Sequence, residues 1–191
     1  MKTILLSIVI LTAALSSSFA QSNDFREFSW GNPMEKIQTN EKATFLIKVK
    51  DDELEYQDQV AGSDCNVIYI FNDNNKLVSG NYFFTKKYAN PQLYLQDYTK
   101  FKTLLTQKYG KPTSDKETWG SHMPVAEKHN YGQAVADGYL SLNTVWTTDR
   151  TQIKINLINI DRSPSLQIQY ITVALDELES KEELKKALIK L

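Results

Sequence analysis

The segment LSLNTVWTTDRTQIKINLINIDRSPSLQIQY, residues 140–170, constrains the fold more than any other. Leu140, Leu142 and Trp146 recur on one side of the first run, and Ile153, Ile155 and Leu157 on one side of the second. In the third, Leu166, Ile168 and Tyr170 alternate with Gln167 and Gln169. A period of two places such residues on one face of a strand and cannot line one side of a helix. Thr148-Asp149-Arg150 and Asp161 to Ser165 supply the turns, so the segment predicts a three-stranded antiparallel meander with one wet face.

Upstream, Thr44 to Lys50 carries Phe45, Ile47 and Val49 at alternate positions, and Leu54 to Val60 is a weaker strand. Asn66 to Phe71 is almost wholly apolar and reads as a central strand. Asn72-Asp-Asn-Asn75 turns into Lys76 to Thr85, which predicts an antiparallel hairpin. That polar cluster is no calcium loop, because it lacks the alternating ligands, central Gly and closing Glu of an EF-hand.

Helix signals come in pairs of Asn and Pro. In SWGNPMEKI, residues 29–37, Asn32 fits the N-cap, Pro33 the first helical position, and Glu35 the position that reaches back to the cap. Trp30 just before it suits packing, with ligand contact as the rival use. Asn90-Pro91 repeats the signal and predicts a helix to Tyr109, with Tyr94, Tyr98, Phe101, Leu105 and Tyr109 on one face and Gly110 and Pro112 stopping it. Residues 111–137 are the least regular, with a short helix expected near Tyr131 to Asp137. From Asp176 to Leu191 a sparse stripe of Leu184, Leu188 and Leu191 predicts a loosely docked terminal helix. The order helix, strands, helix, strands suggests a duplicated helix-plus-strands unit. The expected class is α+β, an antiparallel sheet with helices packed on one face, forming a single domain over residues 21–175.

Residues 1–20 have the form of a signal peptide: Lys2, an apolar run from Leu5 to Leu15, and Ser18-Phe19-Ala20 as a cleavage site. The apolar stretch is shorter than the roughly 20 residues of a membrane-spanning helix. The expectation is therefore an exported chain, periplasmic or secreted, with no integral membrane segment after cleavage. Removing Lys2 leaves 21 basic residues against 23 acidic ones. The charges are mixed along the chain, which argues against a nucleic-acid partner. Cys65 is the sole cysteine, excluding an internal disulfide; it is expected as an inert buried thiol.

Signatures of nucleophilic, phosphate-binding or zinc-protease chemistry are missing from the sequence. The one cluster to weigh is His122-Met-Pro-Val-Ala-Glu127-Lys-His129, two imidazoles and a carboxylate in eight residues. Its spacing matches no face of a regular helix or strand, so exposed loop histidines are the default. No catalytic residue, metal ligand or cofactor is assigned. Binding candidates are Trp30, Trp119, His122, His129 and Tyr131.

The chain also resembles a widespread family of bacterial exported proteins without an assigned activity. The resemblance rests on Phe25-Arg26 and Trp30-Gly31, then Leu54-Glu-Tyr56, Gly62, Val67 to Phe71, Lys76-Leu77 and Tyr82. It continues through Asp97-Tyr98, Leu105, Tyr109-Gly-Lys-Pro112 and Trp146-Thr-Thr to Ile153 and Ile155, and departs at Asn32-Pro33. A more distant likeness, at the level of fold, is to small outer-membrane assembly lipoproteins and β-lactamase-inhibitor proteins, which bind other proteins. The resemblance implies an envelope protein; fold alone does not give function.

Two functions follow as expectations. The first is a non-enzymatic exported binding or structural module of the cell envelope, with an envelope protein as partner and aromatic residues on the open sheet face. The alternative is a metal-binding protein or enzyme built on the 111–137 loop with His122 and His129.

Overall fold

Eight strands hydrogen-bond into one continuous antiparallel sheet in the order β1-β2-β3-β4-β8-β7-β6-β5. They are β1 (Phe45–Lys50), β2 (Glu53–Val60), β3 (Ser63–Phe71), β4 (Leu77–Phe84), β5 (Ser114–Trp119), β6 (Leu140–Thr147), β7 (Thr151–Ile160) and β8 (Ser163–Thr172). Among the described residues three helices interrupt them: α1 (Met34–Asn40), α2 (Gln92–Tyr109) and α3 (Tyr131–Ala136). The structure, a computed structural model, describes residues 23–121, 130–175 and 188. The meander β1–β4 and the strands β5–β8 meet through their last members, β4 and β8, with Tyr82 opposite Ile168.

Following the register across the sheet shows why one face is dry. Tyr56, Val67, Tyr82, Ile168, Ile155 and Thr144 form one transverse row, and Leu54, Tyr69, Gly80, Tyr170, Ile153 and Trp146 the next. All of these residues are buried. Their neighbours along each strand form the opposite, outward face, where Asn and Gln predominate around β8.

The inward face is closed as much by an extended N-terminal segment as by helices. Phe25 lays its ring on Gly80, where an added Cβ would sit 2.0 Å from the ring carbon Cδ1. Tyr69, Tyr82 and Tyr170 surround that ring at centroid distances of 5.1–5.3 Å. Arg26 follows in the left-handed region (φ 53°), and its Nη2 donates to Glu41 Oε1 at 3.0 Å and to Asp58 Oδ2 at 2.6 Å. Tyr69 donates its hydroxyl to the same Glu41. Asp24 accepts two bonds from Arg150, at 2.8 and 2.9 Å, and one from the Trp30 amide at 2.9 Å. Over the other half, α2 buries Tyr94, Tyr98, Phe101 and Leu105. Gly110 ends it at φ 80°, and its carbonyl accepts from Trp146 Nε1 at 3.0 Å.

The expected α+β class is corrected by this architecture. A single eight-stranded antiparallel sheet dominates, and helices of seven, 18 and six residues do not form a layer packed over it. The duplicated helix-plus-strands unit falls with that class, because α3 interrupts the second set of strands. The reason is that a further strand fills Ser114–Trp119, where charged residues on both faces disguise it, while an extended segment takes covering positions that a helix was expected to fill.

One local expectation also changes. No capping box forms at Asn32: α1 starts at Met34, Pro33 occupies the cap position, and Asn32 Oδ1 instead faces the Ser29 amide at 3.4 Å. At α2 the cap works as expected, with Asn90 Oδ1 accepting from the Gln92 amide at 3.0 Å. Cys65 is fully buried, and burial, with Asp58 adding to it, pushes its thiol up to about 12. The proposed leader and, Leu188 apart, the C-terminal helix lie outside the described residues. Among the described residues, no helix is long and apolar enough to cross a membrane.

Candidate functional site

Between α2 and the strands β5 and β6 lies a cleft of about 760 Å³, lined by Leu95, Tyr98, Lys102, Asp115, Tyr131 and Leu142 among others. That volume is in the range of small-ligand sites. Its polar floor is a directed chain. Burial alone would raise the Asp115 carboxyl, but bonds from Lys102 Nζ (2.5 Å) and Thr144 Oγ1 (2.7 Å) outweigh it and hold it below its ordinary value. An ionised carboxylate can only accept, so Thr144 donates to it. The Tyr98 hydroxyl, 2.6 Å from Thr144 Oγ1, must then donate to Thr144. Burial pushes Tyr98 up to about 12, with the charges of Asp115 and Glu117 acting in the same direction. At neutral pH the chain therefore runs one way, from the phenol through the hydroxyl to the carboxylate. These groups are committed to one another, and what they do is pin α2 to β5 and β6.

Of the five candidate residues, the structure brings two together. Trp119 ends β5 and meets Tyr131 of α3 edge-on, with centroids 5.3 Å apart, and Tyr131 donates to Glu117 Oε2 at 3.0 Å. Tyr131 lines the cleft. Trp30 does not join them: it is buried, and its Nε1 donates to Thr151 Oγ1 at 2.9 Å, at the start of β7. Trp119 pairs with Leu140, at the far end of β6 from Thr147, which pairs with Gln152. Seven residues of strand separate those positions, roughly 24 Å at ~3.4 Å per residue. Packing, the first reading of Trp30, is what it does. His122 and His129 lie outside the described residues, and among the described ones no group of three or more His, Cys, Asp or Glu side chains converges.

A second feature lies at the opposite edge of the sheet. Strand β1, FLIKVK, is exposed along its whole length. Phe45, Leu46, Ile47 and Val49 keep 64, 44, 46 and 50 % of their surfaces accessible. The pairing with β2 slips between Leu46 and Lys48, so Ile47 is the extra residue of a bulge. Leu46 and Val49 then face inward, opposite Tyr56 and Leu54, while Phe45 and Lys48 face outward. The strand is thus apolar on both faces, and β2 is its one neighbour among the described strands. The other edge, β5, reads SDKETW and is guarded by charge. Lys48 and Lys50 lie 3.5 and 3.6 Å from Glu53, which supplies only modest guarding at β1.

No family model, curated protein or solved structure matches this chain. The site is accordingly read from its geometry alone. Sequence reasoning missed Tyr98, Lys102, Asp115 and Thr144 as a unit, and missed β1 as the exposed apolar edge.

Proposed function

We propose that the protein is a non-enzymatic binding module of the cell envelope that takes an extended polypeptide segment of a partner protein as a ninth strand beside β1. The observation that carries this reading is the exposed, two-faced apolar edge of β1. An edge strand offers a row of backbone donors and acceptors for strand addition, and its side chains set specificity. Each of Phe45, Leu46, Ile47 and Val49 keeps about half its surface to bury, worth ~1 kcal/mol apiece against the 1.5–3 kcal/mol of full burial. Charge at β5 makes the two edges unlike, which favours one partner at one edge over open-ended stacking of copies. The polar chain of the α2–β5 cleft, already saturated by its own groups, supports a structural reading of that region.

The expectation of an aromatic open sheet face is withdrawn, since Tyr56, Tyr69, Tyr82, Tyr170 and Trp146 all turn inward. The partner site moves to the edge. The test places a photo-crosslinking residue at position 45 of the full chain at native expression. A single envelope protein, crosslinked through one extended segment and lost in Ile47→Asp, is the expected result. Adducts scattered over many proteins, or unchanged by Ile47→Asp, would sink the reading.

A further inference from the structure

The side of α2 that faces away from the sheet carries a ridge of Leu95, Thr99 and Thr103, with a groove along each flank. One groove is the cleft beside β5 and β6. The other, of about 700 Å³, runs toward the β2–β3 turn, where Lys100 Nζ donates to the Ala61 carbonyl at 2.7 Å, and Leu104 lines it. Thr99 and Thr103 are exposed, Leu95 is half-buried, and Leu104 keeps 41 % of its surface accessible. Thr103 spends its hydroxyl on the Thr99 carbonyl at 2.9 Å, and Thr106 on that of Lys102 at 2.8 Å. Those bonds leave methyl groups for packing, so the ridge is an apolar surface on a helix that is otherwise polar outside.

The chain leaves the sheet beside the end of this helix. Val173, just past β8, donates its amide to the Arg150 carbonyl at 3.1 Å in the β6–β7 turn. The last turn of α2 lies at the same end: Gly110 is bonded to Trp146, and the Tyr109 and Tyr170 rings stand 6.3 Å apart. Leu175 is half-buried against the core. Residues 176–191 follow, a length of roughly 24 Å as a helix at ~1.5 Å per residue. Leu188 is helical and 62 % exposed, and it does not line either groove. Two apolar surfaces of one chain thus stand open within reach of each other.

We infer that residues 176–191 dock as a helix antiparallel to α2, seating Leu184, Leu188 and Leu191 along the ridge of Leu95, Thr99 and Thr103. The spacing selects this occupant. Counted back from Gly110, Thr103, Thr99 and Leu95 lie seven, 11 and 15 residues away. Counted on from Leu175, Leu184, Leu188 and Leu191 lie nine, 13 and 16 residues away. Each leucine therefore meets its ridge residue within ~3 Å of axial offset at ~1.5 Å per residue. Charge agrees with the antiparallel direction, which brings Asp176, Glu177 and Glu179 beside the exposed Lys108 and Lys111 at the end of α2. Because both partners belong to one chain, even a weak contact closes at an effective concentration in the millimolar range.

The test is disulfide trapping in the full chain at high dilution, with the pair Thr99→Cys and Leu188→Cys oxidised by copper phenanthroline and the product mapped by mass spectrometry. Both positions are exposed, and Cys65 stays buried in every variant. An intramolecular disulfide forming at least about tenfold faster than in the pair Ile47→Cys and Leu188→Cys is expected, from the local concentration that docking supplies. Adding Leu184→Asp should slow trapping severalfold, because docking would then bury a charge. Lys185→Asp, off the leucine stripe, should leave the rate unchanged. Equal rates for the two cysteine pairs, disulfides formed only between molecules, or a rate that Leu184→Asp and Lys185→Asp alter alike would overturn the inference; the second result would make a second copy the occupant of the ridge.

Discussion

At residue scale, the sheet's centre depends on the absence of a side chain. Gly80 permits the close approach of Phe25, and any Cβ there meets that ring at 2.0 Å. Gly80→Ala should displace Phe25 from its three tyrosine neighbours and destabilise the fold by ~1–3 kcal/mol, the usual effect of overpacking; the urea midpoint measures it. Asp58 offers a pH test. Burial acts to raise its carboxyl, but the Gln59 amide and the Arg26 guanidinium together lower it below its ordinary 3.8. A carboxyl depressed in the folded state stabilises above its unfolded value and loses that contribution as the pH falls through the folded one. Asp58→Asn should therefore lower the urea midpoint at pH 7, and the gap to wild type should narrow by about pH 2. A gap of constant size would refute the ion-pair explanation.

At the scale of elements, α2 is held by apolar packing plus one polar chain. Thr144 is fully buried between Tyr98 and Asp115. Thr144→Val keeps the shape and removes both bonds, so it should cost ~1–3 kcal/mol by leaving the Tyr98 hydroxyl unpaired. Faster hydrogen exchange in α2 than in β7 should accompany the loss, since the chain pins the helix rather than the sheet. Strand β1 gives the opposite expectation. Ile47 is exposed and is the bulge residue, so Ile47→Asp should change stability by no more than ~0.5 kcal/mol. Thermal unfolding checks this independently of any partner, and a large loss would mean that the edge serves the core.

For the whole molecule, the N-terminal segment ties the first meander to the second. Asp24, nearly inaccessible, grips Arg150 in the β6–β7 turn, while Trp30 bonds to Thr151 beside it. Asp24→Ala removes one partner of a largely buried pair and leaves the other with a reduced set of bonds. A loss of ~2–4 kcal/mol is expected, below the upper range for buried pairs because Arg150 keeps 20 % of its side chain accessible. Denaturation followed by tryptophan fluorescence would show it.

Local sequence determined the strands β6 and β7 almost to the residue, the middle of β8, which begins at Ser163 inside the expected turn, the helix α2 with its Asn90 start and Gly110 stop, and the burial of Cys65. Periodicity and caps act over a few residues, so they are legible without the rest of the chain. Strand β5 was not legible, because Asp115, Lys116 and Glu117 put charge on both faces and erase the alternation. The pairing of β4 with β8, the bond from Trp30 to Thr151 across 121 residues, and the chain from Tyr98 to Asp115 were decided by tertiary structure alone. So was the exposure of β1: its apolar pattern matches that of a buried strand, and only its place at the edge of the sheet leaves it facing water.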